Sequence, residues 1–264
     1  MMRWIFGLGL LGYFGIAFAQ DMEAIENSEL VARIGVRIAA ISYVDEVRKE
    51  IATGSGIMID ATHVLTAAHV VEHVNPDKGM VVQIGVLRQR VLVDNIEFRP
   101  FLTTGKVIAI DDRRDLALVE VANTFAYSKL EVCKRPLLSG SRFILASTSA
   151  SSASRPDALQ ASWAPLWRRE VLDITKLPSN LPAVAKDFKW RAKSGDPIIT
   201  LSQTLHPGDS GGAVLGEDGC LAGIVSLTTP FIVTSADKTF SYSRGVTIAM
   251  PVTSAERLLS FPSP

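Results

Sequence analysis

The sequence has little cysteine, only Cys133 and Cys220 in 264 residues. Two thiols cannot staple a miniature disulfide fold or build a four-cysteine zinc module. It also lacks an excess of either charge, with 27 Lys and Arg against 27 Asp and Glu. A bulk nucleic-acid binder carries a clear basic surplus, so nucleic acid is not an expected partner. Long hydrophobic runs are missing too, apart from one short stretch at the N-terminus. What is present is 47% hydrophobic and 20% charged, a globular composition far from disorder or collagen. The length suits one large all-β or α/β domain, or two small lobes, with a substantial core.

Arg3 is followed by a charge-free stretch from Trp4 to Ala19 that closes on Ala17-Phe18-Ala19, small residues where a signal peptidase reads. The stretch is short of the roughly 20 residues of a spanning helix. Residues 1–19 are therefore read as a cleaved export signal, with an uncleaved anchor as the alternative. The mature chain, 20–264, then carries 26 basic and 27 acidic residues, with no stable membrane span. It is expected in the periplasm or outside the cell. No Cys follows the apolar run, which argues against lipoprotein attachment. In an oxidising compartment Cys133 and Cys220 are either two buried thiols or one disulfide, and a bond is favoured if both fall in one C-terminal lobe.

Downstream, the pattern is all-β. Ile34, Val36, Ile38 and Ala40 alternate with Arg33, Gly35, Arg37 and Ala39, the period of a half-buried strand. Short β-rich runs recur at Gly56–Ile59, Val81–Val86, Arg90–Val93, Val107–Ile110 and Leu116–Val121. A second set follows at Arg142–Ala146, Glu170–Ile174, Pro197–Leu201, Ala213–Val214, Leu221–Ser226 and Val246–Met250. Asn123 to Lys129 reads as a connector, and Ser147 to Ser154 as a Ser/Ala-rich loop. Closely spaced strands suggest barrels or a sandwich. Short helices are expected only after Thr66 and from Ser254 to Ser260. From Arg155 to Gly195 the Pro- and Trp-rich sequence resists assignment beyond one or two strands among loops. No short internal repeat is visible, although the chain divides into two lobes of similar size.

Three segments carry chemistry. Gly54-Ser55-Gly56 precedes Thr66-Ala67-Ala68-His69; Asp115-Leu116-Ala117-Leu118 opens an apolar run; Gly208-Asp209-Ser210-Gly211-Gly212 follows Pro207. Acyl transfer needs a hydroxyl nucleophile, a base, and a group that orients the base. Ser210 lies between glycines that permit a sharp turn and close approach of a substrate. His69 ends an apolar strand at a turn, and Asp115 begins one. The N–H groups of Gly208 and Ser210 would converge on a developing oxyanion.

The order His, Asp, Ser in T-A-A-H, D-L-A-L and G-D-S-G-G resembles the chymotrypsin-like (trypsin-like) serine proteases. The likeness runs from about Val31 to about Val252. Gly245-Val246-Thr247-Ile248-Ala249-Met250-Pro251 looks like the end of the catalytic domain in the bacterial HtrA-type and glutamyl-endopeptidase-like branches. The resemblance implies two packed antiparallel β-barrels, about 31–125 and about 130–252, with a short C-terminal helix and the triad between the barrels. It also implies a serine endopeptidase acting on polypeptide, with no cofactor and no metal. Val70 stands where animal trypsins carry Cys. HtrA-type members usually add a PDZ domain, for which Thr253 to Pro264 is too short.

Competing readings are weaker. An α/β-hydrolase would place its serine before the Asp and His and alternate strands with helices. His69-Val70-Val71-Glu72-His73 fits an inverted zinc-peptidase motif, but Pro76 ends any helix; Glu72 and His73 are expected to be exposed on a short helix. Asp111 and Asp112 sit beside Arg113 and Arg114 in a hydrophilic turn, leaving Asp115 as the acid. His63 is expected in a turn. The basic, aromatic-bearing stretch from Lys186 to Lys193 reads as a solvated loop. For the substrate pocket, Thr204 occupies the position where animal trypsins carry an acid, His206 lies in the same loop, and Ser226, Leu227 and Thr228 would line a wall. An uncharged, narrowed pocket suggests small or medium uncharged side chains before the cut bond. Arg33-Ile34-Gly35-Val36 faintly resembles an activation site that would pair with Asp209, yet it lies in a strand pattern, so no proteolytic activation is expected. The rival from another class is a non-catalytic binding module on a protease fold, which would not require a complete triad with its glycines.

Overall fold

The computed structural model describes residues 33–85, 101–134, 141–149, 158–171, 197–201, 208–234, 241–254 and 258. The expected signal segment, Arg90–Val93, Lys186 to Lys193, Thr204, His206 and most of the expected C-terminal helix lie outside these residues. Among the described residues, no helix is long and apolar enough to cross a membrane.

Six strands form a first closed barrel: β1 (Ile38–Asp45), β2 (Glu50–Met58), β3 (His63–Thr66), β4 (Met80–Ile84), β5 (Phe101–Asp111) and β6 (Leu116–Val121). Around the ring they run β1-β2-β3-β6-β5-β4, and β1 closes the circle by pairing antiparallel with both β2 and β4. A second barrel comprises β7 (Arg142–Ser149), β8 (Ala158–Val171), β9 (Pro197–Leu201), β10 (Ala213–Leu215), β11 (Leu221–Thr234) and β12 (Ser241–Pro251). Its ring reads β7-β8-β9-β12-β11-β10, the same order shifted by one barrel. The two-barrel architecture expected from the sequence is present, and the repeat that no short sequence pattern reveals exists as topology. Closure leaves neither barrel with a free edge along its ring.

The hydrophobic core follows the strand period. In the second barrel Phe143, Leu145, Ile199, Leu201, Val214 and Ala249 belong to one cluster. Their neighbours Ile144, Ala146, Ile198, Ala213, Ile248 and Met250 belong to another, shared with Ile41, Ile57 and Leu118 of the first barrel. Successive side chains thus face opposite ways, one set filling the second barrel's own core and the other joining the first barrel. Each fully buried Ile or Leu contributes about 1.5–3 kcal/mol.

The connector is held to both barrels. Phe125 N–H donates to Ala61 O (2.8 Å) and Leu130 N–H to Ile59 O (2.6 Å). Further on, Cys133 N–H donates to Leu221 O (2.9 Å) and Leu221 N–H to Glu131 O (2.7 Å). Cys133 and Cys220 form a disulfide with Cα atoms 4.9 Å apart, fastening the connector to the turn that enters β11.

Several local expectations need correction. Residues 33–35 are helical and β1 begins only at Ile38. Ile34 is buried, but its carbonyl accepts Arg37 N–H (2.9 Å) in a turn. The Arg37 guanidinium lies 5.1 Å over the Tyr127 ring. Burial of Ile34 mimicked the strand pattern. Ser147–Ser149 belong to β7, not to a loop, because Ser147 and Thr148 pair with Gln160 and Leu159 of β8. The difficult stretch contains the 14-residue β8, whose Pro165 and mixed Trp and Arg residues hide its period. β11 and β12 form a hairpin that extends to Thr234↔Ser241, well beyond the runs expected.

Candidate active site

The chain after β3 makes a single 3-10 turn, Ala68–Val70, rather than a longer helix. Gly54 in β2 permits it: a Cβ there would stand 2.4 Å from Val70 Cγ1. Another 3-10 turn, Asp112–Arg114, ends at Asp115 in the left-handed region, φ 50° and ψ 45°. Asp tolerates that conformation better than most residues, and here it turns the carboxylate toward the His69 turn.

Asp115 is 4% exposed, and every polar group it presents is used. Its carbonyl accepts Ala68 N–H at 3.0 Å. Carboxylate Oδ1 accepts His69 N–H at 3.0 Å, and Oδ2 stands 2.8 Å from His69 Nδ1. Ser226 donates its hydroxyl to the same Oδ2 at 2.5 Å. A carboxylate facing Nδ1 places the ring proton there and leaves Nε2 with its lone pair. The competing acid Asp111 is occupied by Arg114, accepting its N–H (3.1 Å) and Nη1 (2.7 Å).

Ser210 reaches the first barrel through its backbone. Ser55 N–H donates to Ser210 O at 2.8 Å. Gly211, at φ 84°, lies so close to this contact that a Cβ would meet Ser55 O at 2.1 Å and Thr66 Oγ1 at 2.3 Å. Only glycine fits that position. Gly208 has φ 95°, and among the described residues no hydrogen bond occupies the N–H of Gly208 or of Ser210. Asp209 between them is wholly buried and accepts the Ser147 hydroxyl at 2.7 Å.

The structure therefore brings together His69 and Asp115 from the first barrel with Ser226 from the second, and ties Ser210 to Ser55. Ser226, expected on the pocket wall, has its hydroxyl on Asp115. Leu227 and Thr228 lie in β11 opposite Ile248 and Thr247, just beyond a register shift at Ser226. Arg33, the residue before Ile34, donates its side chain to Asp218 O (2.8 Å). Ser55, Thr66, Ser147 and Thr148 were missed as site residues. The G-S-G and T-A-A-H segments were visible, but their hydroxyls carry no signal until the two barrels are docked.

His63 and His73 are structural. His63 is buried, with Nδ1 2.9 Å from both oxygens of Asp60; it opens β3 rather than lying in the turn before it. His73 lies in a turn rather than a helix and meets buried Asp45 at 2.8 Å. His69 and His73 thus face separate carboxylates, which does not suit a shared metal. Among the described residues one cluster, Cys133, Asp218 and Cys220, gathers potential ligand atoms within 4.8 Å, and both its sulfurs are committed to the disulfide.

Solved structures with the same fold include the Rv3671c protease from M. tuberculosis in its active form, at TM-score 0.60 and 19% identity, covering 90% of this chain and 87% of that one. The inactive form of the Rv3671c protease gives 0.58 and 18%, covering 89% and 92%. The HtrA-type protease AlgW, as a serine-to-alanine variant with a tripeptide, gives 0.61 and 16%, covering 89% of this chain and 62% of that one. No curated protein matches in sequence. At these identities the structural likenesses establish the fold. The sequence from 54 to 224, well over half of the chain, matches the model of the trypsin-like peptidase domain, and the chain belongs to that family.

Proposed function

We propose that the protein is an exported serine endopeptidase in which Ser210 is the nucleophile, His69 the general base and acid, and Asp115 the residue that orients the imidazole. The observation that carries this reading is the buried Asp115 carboxylate gripping His69 at both N–H and Nδ1, at 3.0 and 2.8 Å. Ser210 Oγ attacks the scissile carbonyl carbon as His69 Nε2 takes its proton. The tetrahedral oxyanion is received by the N–H groups of Gly208 and Ser210. Collapse expels the amine, which leaves with the proton from His69, and an ester remains on Ser210. Water, deprotonated by His69, then attacks the ester and restores the hydroxyl. No metal or organic cofactor enters this sequence.

The export signal at 1–19 and a mature domain spanning 20–264 belong to the same proposal. The Cys133–Cys220 disulfide supports an oxidising destination, periplasmic or extracellular. Polypeptide is the expected substrate. The test is labelling of the processed, folded chain by a fluorophosphonate probe, with Ser210→Ala as control. Label lost in the variant supports the assignment, and a wild-type chain that takes no label overturns it.

A further inference from the structure

Ser55 is wholly buried on β2 of the first barrel, yet all three of its polar groups serve the segment around Ser210 or brace it. Its N–H donates to Ser210 O at 2.8 Å. Its carbonyl accepts the Thr66 hydroxyl at 2.6 Å, three residues before His69. Its own hydroxyl reaches Gly208 O at 2.7 Å. That hydroxyl has a single proton, and its surroundings fix where the proton goes. Thr148 N–H donates to Ser55 Oγ at 2.8 Å. The remaining neighbours, Thr148 Oγ1 at 3.0 Å and Thr148 O at 3.2 Å, are farther away than Gly208 O. Thr148 Oγ1 can donate in its turn, so the Ser55 proton is directed to Gly208 O.

We infer that Ser55 is the positioning residue that sets the Gly208–Ser210 segment in register with His69, with its hydroxyl fixing the peptide plane after Gly208 and its N–H fixing the one after Ser210. The role rests on the assignment of Ser210 as nucleophile. Gly208, at φ 95°, has no Cβ to restrict rotation of the peptide plane that follows it. The plane held through its carbonyl lies between the two planes that carry the Gly208 and Ser210 N–H groups, so it limits how both oxyanion donors can be aimed. Without the Ser55 hydroxyl, Gly208 O and Thr148 N–H would both lose a buried partner. The loop could then satisfy its carbonyl by rotating, and the oxyanion donors would no longer be preorganised. Through its carbonyl, which accepts the Thr66 hydroxyl, the same residue is linked to the strand that delivers His69, so one residue couples the halves of the site.

The experiment compares wild type with Ser55→Ala on the processed full chain, with rates expressed per active site titrated by fluorophosphonate. For Ser55→Ala, kcat is expected to fall about 30-fold while KM stays within about threefold. Inhibition by a peptidyl boronic acid, whose tetrahedral adduct occupies the oxyanion position, should weaken by the same factor as kcat. A purely structural residue would lower the titrated fraction and Tm but leave kcat per site and boronate affinity intact, and that result overturns the role. Should Ser55→Ala not fold, Ser55→Cys keeps a weak donor in the same space; an intermediate kcat supports the role and a wild-type kcat per site overturns it. Labelled wild type with an unaffected variant sinks this role alone, whereas unlabelled wild type sinks the endopeptidase reading with it.

Discussion

Ser226 and His69 meet at one atom: the hydroxyl of the first, at 2.5 Å, and Nδ1 of the second, at 2.8 Å, both address Oδ2 of Asp115. The oxygen that orients the imidazole is therefore itself held from the opposite barrel. Replacing Ser226 with Ala leaves Asp115 bonded to His69 but free to swing. We expect kcat to fall about 10-fold with little change in KM, since a hydrogen bond to a charged group is lost without touching substrate. Steady-state kinetics on a peptide ester and a peptide amide check this. An unchanged kcat would remove Ser226 from the machinery.

Gly211→Ala should be among the most damaging single substitutions in the chain. The new Cβ would stand 2.1 Å from Ser55 O in a backbone at φ 84°, so overpacking and conformational strain add to about 3 kcal/mol or more. Thermal unfolding should show a large fall in Tm or no folded protein. A variant melting like wild type would mean that the two segments are not in contact.

The disulfide closes a loop of sequence separation 87. Replacing Cys133 and Cys220 with Ser should cost about 2–4 kcal/mol and lower Tm by roughly 5–15 °C. Wild type in strong reductant should melt like the double variant, and the double variant should be indifferent to reductant. The hydrogen bonds between Cys133, Leu221 and Glu131 would remain, so activity at moderate temperature should survive.

Asp45 gives a pH-dependent increment of stability. Burial opposes its charge, but the N–H of Arg48, the ring of His73 and the N–H of Val47 outweigh that and hold its carboxyl below the ordinary value of 3.8. A carboxyl with a lowered folded-state pKa stabilises fully above its unfolded value and loses that contribution as pH falls through the folded one. The Tm gap between wild type and Asp45→Asn should therefore be widest above about pH 4 and close in stronger acid. A gap that widened on acidification would contradict this sign.

For the proposed cleavage preference, Thr204 at the position where animal trypsins carry an acid would offer no charge to a basic side chain, and Thr228 is expected to narrow the pocket. A peptide library should show cleavage after small or medium uncharged residues at least about tenfold faster than after Lys or Arg. Rapid cleavage after either basic residue would refute the pocket assignment.

The sequence displays the part of the site that depends on local pattern. His69, Asp115 and Ser210 each sit in a short segment whose glycines or apolar neighbours mark a turn beside a strand, and order along the chain distinguishes them from a hydrolase of another fold. Ser55 is visible only as a member of a motif, and Ser226 only as a pocket-wall residue. Their partners Gly208 and Asp115 lie 153 and 111 residues away, and no local period encodes contacts across two barrels. Likewise His63 reads as a turn residue and His73 as a surface one until Asp60 and Asp45 are folded against them. Strand β8 escaped notice because Pro165 and its Trp and Arg neighbours obscure the twofold alternation. Ile34 misled in the opposite direction, being buried by a helical turn and not by a strand.

The identical ring order of the two barrels has a consequence for where chemistry resides. Each half of the chain saturates its own sheet and needs nothing from the other to complete its backbone pairing. On the proposed assignment the base and its orienting acid belong to one half and the nucleophile to the other, so neither half would be an enzyme by itself. On that assignment catalysis would be a property of the junction, and would exist only while the two barrels are held in alignment.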